Sequence, residues 1–469
     1  MSDYTYKEPF IMLAMLARWI LLAVVTGLVV GTATSLFLHI LAFLIGARTE
    51  TPLWILAIIL PIGGLANGLL IYYGYEKVKE KRSDSVITSI HKQGGQMPYS
   101  ALFFRPVAAL ITLASGGSAG KTGPCSQMGA IIASWLGNRF GLREQLQKQI
   151  VVSGMAAGFA GVFGIPIAAA FYGVEVISSG KLRYEYIFPA VVASIASVEV
   201  SKVWHVPFHF FPIEQSYRLN EDIAWKVLTI GIVCGLVAWI FIEVFEEIGM
   251  LFEYLKHRFH IWQPLMPMIG GTVLALLILL IPTDYFSLGM PMLQDTLQGE
   301  QAKFYEPFIK ILLVAITLGS GFYGGVVTPL FIIGALSGSS LAQLFGIHPA
   351  FGAAIGLVAG VASASNAPIA AAFMGLELFS GINAIYAVTS SMAAYIVIGH
   401  RSVHPDQIVT HPKSFLVYKE NSVPGGRGTG RITYKALRKM RKQESARRAW
   451  KRFVPHFHHQ SGQLSKKRE

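Results

Sequence analysis

Two stretches of this chain, about 200 residues apart, are copies of each other. The first, ITLASGGSAGKTGPCSQMGA, runs from Ile111 to Ala130; the second, ITLGSGFYGGVVTPLFIIGA, runs from Ile316 to Ala335. A further pair follows them, GMAAGFAGVFGIPIAAAFYGVE from Gly154 to Glu175 and GLVAGVASASNAPIAAAFMGLE from Gly356 to Glu377, aligned without gaps and sharing PIAAAF. All four copies are apolar, and in each half a Gly/Pro interruption falls at the same place. The fold must therefore be one that a duplicated unit can build. In duplicated transporters, interruptions at corresponding positions are the best sequence pointer to a binding site near the membrane midplane.

The rest of the chain fits a membrane solvent. Of 469 residues, 53% are hydrophobic and 14% charged, where a soluble domain carries about 25% charged residues. The mean hydropathy is +0.51. A spanning helix needs about 20 apolar residues, and such runs begin near Phe10, Pro52, Phe103, Ile150, Tyr186, Val227, Leu265, Phe308, Phe351 and Ala384. The run from Phe10 to Gly46 reads as one tilted helix or two segments. It exceeds the roughly 7–15 residues of a signal-peptide core and reads as a mature helix. These features predict an all-α membrane protein of two halves. Residues 1–9 form a cytoplasmic N-terminus, 10–205 a first repeat, 206–223 a linker, 224–400 a second repeat and 401–469 a basic tail. Segment counting leaves the handedness of the repeat open.

From His400 onward there are 17 Lys+Arg against 4 Asp+Glu, which accounts for the whole net charge of +13. Under the positive-inside tendency this tail is cytoplasmic, and it is expected to lie on anionic lipid headgroups rather than on nucleic acid. Cys125 and Cys234 sit in apolar surroundings and are expected to be buried and unpaired. No Cys/His metal spacing occurs, and no cofactor is expected.

The interrupted segments suggest an anion. In lipid, backbone N–H groups must find partners within the protein. A Gly-rich turn frees such groups, and the Pro that follows suits the first turn of the next helix. Helix N-termini offer unpaired N–H donors and partial positive charge, so two that converge make an anion site without a fixed cation. SAGKTGP and YGGVVTP both have this form. Glu175 and Glu377 are repeat mates inside the membrane; retention at matching places favours a hydrogen-bonding role over a functional one.

These motifs resemble those of the CLC family of chloride channels and chloride/proton antiporters. SGGSAGKTGP is similar to the family's GSGGSxGREGP or GKEGP segment, GGVVTP to GGxFxP, and NAPIAAAFMGLELF to APxxAxxxxxEM; the match covers most of residues 10–410. The resemblance implies a homodimer with one ion path per subunit, and inverted halves whose broken helices meet at the midplane. It implies that a chloride-type anion is coordinated by the backbone N–H groups of Val326 and Val327. Lys121, Thr122, Gly123 and Pro124 of the first turn, with Gly325 and Thr328 of the second, complete the expected site.

Several family side chains are changed. The family's gating Glu becomes Thr122, a hydroxyl with no charge to compete with an anion or carry protons. The antiporters' inward-facing Glu becomes Val176. The family's first motif aligns best with EKRSDSVITSIH, which puts Lys81 at the anion-binding Ser position and brings Ser83 nearby. HPDQIVT, His404 to Thr410, matches the stretch of the pore Tyr, with Val409 at that position. The reading that follows is a passive chloride-type channel in the plasma (inner) membrane without proton coupling. A secondary transporter of another anion (fluoride, nitrate or bicarbonate) is the alternative, and a non-transporting membrane scaffold the third reading. No nucleophile–base pair suggests an enzyme.

Overall fold

A computed structural model describes residues 8–49, 51–76, 85–208, 210, 211, 213, 217–380, 382–411 and 413. Lys81, Ser83 and nearly all of the basic tail lie outside the described residues. Sixteen α-helices appear among the described ones. The first eight are α1 Glu8–Thr49, α2 Leu53–Ile71, α3 Val86–Lys92, α4 Ala101–Ser115, α5 Thr122–Arg139, α6 Glu144–Phe163, α7 Pro166–Glu175 and α8 Tyr184–Val203. The second eight are α9 Glu221–Arg258, α10 Leu265–Leu277, α11 Met290–Gln298, α12 Glu306–Gly319, α13 Val327–Leu344, α14 Pro349–Ala364, α15 Pro368–Leu378 and α16 Ala384–Val397. The only described strands are β1 Ser178–Ser179 and β2 Ile408–Val409, a parallel pair. Residues 8–410 belong to one compact unit.

The ten apolar runs are the ten helices α1, α2, α4, α6, α8, α9, α10, α12, α14 and α16. The long first run is a single helix of 42 residues, about 60 Å at 1.5 Å per residue. That is twice the roughly 30 Å hydrocarbon core, so it is long enough to span it with residues to spare. Among the described residues, five helices are long and apolar enough to span a membrane unaided.

Association in lipid depends on close packing rather than on a hydrophobic driving force, and small residues permit it. The chain solves this problem once and uses the solution twice. A methyl added at Gly129 on α5 would lie 2.1 Å from the Gly154 carbonyl on α6; its mate Gly334 on α13 would meet the Gly356 carbonyl on α14 at 2.4 Å. Gly27 and Gly31 bring α1 onto Ala193 and Ser197 of α8, and Gly231 and Gly235 bring α9 onto Ser390 and Ala394 of α16. Where the halves meet, mates touch mates. Phe171 on α7 stacks on Phe373 on α15 with centroids 4.8 Å apart. Gly120 and Gly325, equivalent residues, pair as an isolated antiparallel bridge. An antiparallel pair of equivalent residues has a local two-fold axis between its members, as inverted halves require. Cys125 and Cys234 are buried and free.

Lys310 on α12 is fully buried, and its Nζ donates to the carbonyls of Tyr285 (2.9 Å) and Ser287 (3.2 Å). Ser287 in turn donates from its N–H to Gly116 O (3.1 Å) and from Oγ to Leu113 O (2.9 Å). One cation on α12 thus holds a loop against the end of α4. Lys310→Met leaves two carbonyls without their donor and is expected to lower stability by about 1–3 kcal/mol, read as a lower Tm in detergent.

Candidate functional site

The two interrupted segments come together at the start of α5 and α13. α4 stops at Gly116, which takes the left-handed conformation at φ 106°. The chain then turns through Gly117–Lys121 and begins α5 at Thr122. α12 ends at Ser320, Gly321 takes the same left-handed conformation as Gly116 at φ 105°, and after a turn through Val326 the chain begins α13 at Val327. The turns are joined by two reciprocal hydrogen bonds, Gly120 N–H to Gly325 O (2.7 Å) and Gly325 N–H to Gly120 O (2.9 Å). Ser118 N–H donates to Thr317 Oγ1 at 3.0 Å. The first N–H groups of a helix have no intrahelical acceptor, and Pro124 and Pro329 sit where a missing donor costs nothing. Two positive helix ends therefore converge here.

Thr122 Oγ1 and Thr328 Oγ1, both buried, lie 3.0 Å apart. Two hydroxyls bring two protons, and the bond between them uses one. The other remains to donate to an anion. Gly123 packs against the opposite turn, where an added methyl would lie 2.8 Å from Gly325 Cα. The structure thus unites Thr122, Gly123, Gly325 and Thr328, with Val326 as the cap residue of α13 and Val327 its first residue.

Lys121 caps α5, with its Nζ 5.8 Å over the Phe163 ring. Among the described residues no carboxylate pairs with it. With Val162, Phe163, Met290, Leu293 and Phe331 it lines a small cavity of about 20 Å³, room for one water-sized occupant.

Sequence reasoning missed the support behind the second turn. Arg105 on α4 donates from Nη1 to Gln127 Oε1 (2.9 Å), which also accepts from the Tyr323 hydroxyl, and the Arg105 guanidinium lies 5.0 Å over the Tyr323 ring. The signal was present: an Arg inside an apolar run is a functional candidate by default.

Glu175 and Glu377 are reciprocal caps. Glu175 accepts from the N–H groups of Ile369 (3.3 Å) and Ala370 (2.8 Å) at the start of α15; Glu377 accepts from Ile167 (3.0 Å) and Ala168 (2.7 Å) at the start of α7. Each carboxylate holds the other half's helix. Glu175→Ala and Glu377→Ala are each expected to cost about 1.5–3 kcal/mol. Glu175 falls at the upper end, since it is buried and its partner Ile369 is half-buried, whereas Glu377 is half-buried and Ile167 exposed. Thermal unfolding in detergent checks the order.

Val176 and Val409 lie in a second cluster. Val176 caps the end of α7, is buried, and its carbonyl accepts from Gln407 Nε2 at 3.1 Å. Val409 is in β2, in register with Ser179. Among the described contacts none joins Val409 to the paired turns.

The model of the family described as "Voltage gated chloride channel" matches residues 62–399. A protein of Pseudomonas syringae pv. tomato named "Chloride/fluoride channel protein" is 33% identical over 422 residues, covering 88% of this chain and 91% of that one. The solved structure of a CLC-type fluoride/proton antiporter superposes with a TM-score of 0.78 at 32% identity, covering 84% of this chain and 98% of its own. A slow cyanobacterial Cl−/H+ antiporter shares the fold at a TM-score of 0.70 and 20% identity, over 81% of this chain and 94% of that one.

Proposed function

The chain belongs to the voltage gated chloride channel family of anion-transporting, multi-pass membrane proteins, and within it we propose a passive, chloride-type channel with no proton coupling and one pore per subunit. The observation that carries this reading is the Thr122–Thr328 hydroxyl pair at the convergent helix ends. A carboxylate there would compete with the anion; a hydroxyl offers it a donor instead. The site binds through backbone dipoles and one hydroxyl proton, without a full charge in contact. Such binding is favourable enough for entry and weak enough for release, as conduction requires. Glu175 is engaged on both oxygens by the start of α15 in a structural role, and Val176 has no proton to give.

Lys121, with no carboxylate partner among the described residues, draws anions toward the cavity it lines. The protein works as a homodimer, supported by family membership and by exposed apolar residues on α8 and α16 such as Phe188, Ile385, Val388 and Ile396. It resides in the plasma membrane with the basic tail cytoplasmic, and it is a transporter rather than an enzyme. Fluoride is the second reading, favoured by the names of the Pseudomonas relative and of the fluoride/proton antiporter.

The test is anion efflux from proteoliposomes with a pH electrode in the same vessel, run with chloride and then fluoride. Chloride efflux that needs an ionophore to relieve the voltage, without uphill proton movement, is the expected result. Stoichiometric proton movement would sink the uncoupled channel. Fluoride efflux without chloride efflux would move the assignment to the second reading.

A further inference from the structure

The stretch after α16 is fastened to the end of α7 and to the α14–α15 turn by side chains that the transport reading does not use. Gln407 donates to the carbonyls of Val176 (3.1 Å) and Ser365 (3.0 Å) and accepts from Asn366 Nδ2 at 3.0 Å. Asn366, itself in the left-handed conformation at φ 54°, also donates to Arg401 O at 3.0 Å. Val403 N–H donates to Ala364 O, and Thr410 N–H to Ser179 O, each at 2.9 Å. At the centre, His404 Nε2 lies 3.0 Å from the buried Tyr172 hydroxyl, which is 3.3 Å from Ser365 Oγ.

This cluster is not remote from the anion site. Tyr172 is one turn before Val176 on the same helix face. Its ring lies 4.6 Å from Phe159, which continues to Phe163 at 5.6 Å and on to Phe331 at 4.8 Å. Phe331 is one turn into α13. A file of touching rings therefore joins His404 to the first turn of α13.

We propose that His404 is a positioning residue that latches residues 401–410 onto α7 while its imidazole is neutral and releases them when it takes a proton. Nε2 of the neutral ring is paired with the Tyr172 hydroxyl. An imidazolium in the same place would find no free carboxylate among the described residues. Glu175 on α7 is engaged by Ile369 and Ala370. Glu243 and Glu246 on α9 face Arg401 at 2.7 and 3.6 Å. His91 on α3 is spent on Ile177 O at 3.0 Å, and the Tyr395 hydroxyl on α16 is 3.5 Å from Ser179 Oγ. Only Asp406, on the segment itself, acts favourably on the proton, and it does so without a hydrogen bond.

His404 follows the last membrane helix, and burial pushes its pKa down from 6.5 to about 4. The docked state thus binds the proton less readily than the released one. Docking is at full strength above 6.5 and weakens as pH falls from 6.5 toward 4. Between pH 7.5 and pH 5.5 the docked-to-released ratio falls about tenfold.

The test is labelling of Val403→Cys in the full-length protein by a neutral, water-soluble maleimide at pH 7.5 and 5.5, with and without His404→Gln. Val403 is buried when the segment is docked, and the native Cys125 and Cys234 are buried. Gln keeps a hydrogen bond to Tyr172 but does not titrate, so the ratio of the two labelling rates cancels the thiol's own pH dependence. That ratio is expected to rise about tenfold at pH 5.5. An unchanged ratio overturns the latch, as does rapid labelling at pH 7.5 in the background that retains His404. Amide exchange over 401–410, comparing the unsubstituted protein with His404→Gln, repeats the test without a new thiol. Neither readout requires transport, so failure of the channel assignment leaves this result interpretable.

Discussion

Thr122→Glu is expected to cut chloride efflux at pH 7.5 by roughly tenfold or more, and acid is expected to restore it. Thr122 is the first residue of α5, buried, with its hydroxyl 3.0 Å from that of Thr328. A carboxylate there would sit at a positive helix end and accept a hydrogen bond from Thr328. Both are the interactions the anion needs, so the side chain and the anion compete for one place. Carboxylic acids titrate ordinarily near 4. Acidification removes the competing charge and leaves a neutral group that an anion can displace. Proteoliposome efflux from pH 4 to 8, with an ionophore present, reads the effect. Flux in the variant that stays level across that range would mean that residue 122 does not face the anion. Thr122→Val separates charge from hydroxyl. It removes one of the two hydroxyls but frees the Thr328 proton from their mutual bond, and is expected to reduce flux at most severalfold, because that donor and the backbone N–H groups remain.

The scaffold of this site was legible in the sequence, and the wiring of it was not. The repeated Gly–Pro interruptions predicted two broken helices and their meeting. They could not show that Gly120 and Gly325 pair by reciprocal hydrogen bonds, because periodicity says nothing about which backbone groups meet across 200 residues. α5, α7, α13 and α15 were not separated from the apolar runs that precede them, because composition does not mark where one apolar helix ends and the next begins. They are helices because their neighbours bury them, as with α13, whose best window is 89% buried. Glu175 and Glu377 were recognisable as mates, and symmetry favoured hydrogen bonding over proton transfer; their acceptance of N–H groups from the opposite half needed coordinates. Matching Val409 to the pore-lining Tyr stretch rested on local similarity, and the structure puts that residue beside Ser179 in a two-strand pair. The Tyr172–His404 contact spans 232 residues. No local pattern announces a bond of that range.

Gly325→Ala is expected to abolish conduction where Val326→Ala leaves it nearly intact. An alanine Cβ at 325 would lie 2.7 Å from the Gly123 N and 3.0 Å from the Gly120 carbonyl. Both obstacles are backbone, held by reciprocal bonds of 2.7 and 2.9 Å, and neither can rotate away as a side chain would. Relief requires the two turns to part, which breaks those bonds and pulls the N-termini of α5 and α13 out of convergence. The anion then faces two separate helix ends, each weaker than the pair. Overpacking of this kind typically costs about 1–3 kcal/mol. A membrane domain with many other helix contacts is expected to survive that loss, so the protein should still elute as a single folded species while efflux falls to the level of empty liposomes. In the proposed site Val326 offers its backbone N–H rather than its side chain, so its truncation to Ala keeps the donor and the turn. Equal loss of flux in both variants would mean that side chains at the turn, rather than the meeting of two backbones, build the anion site.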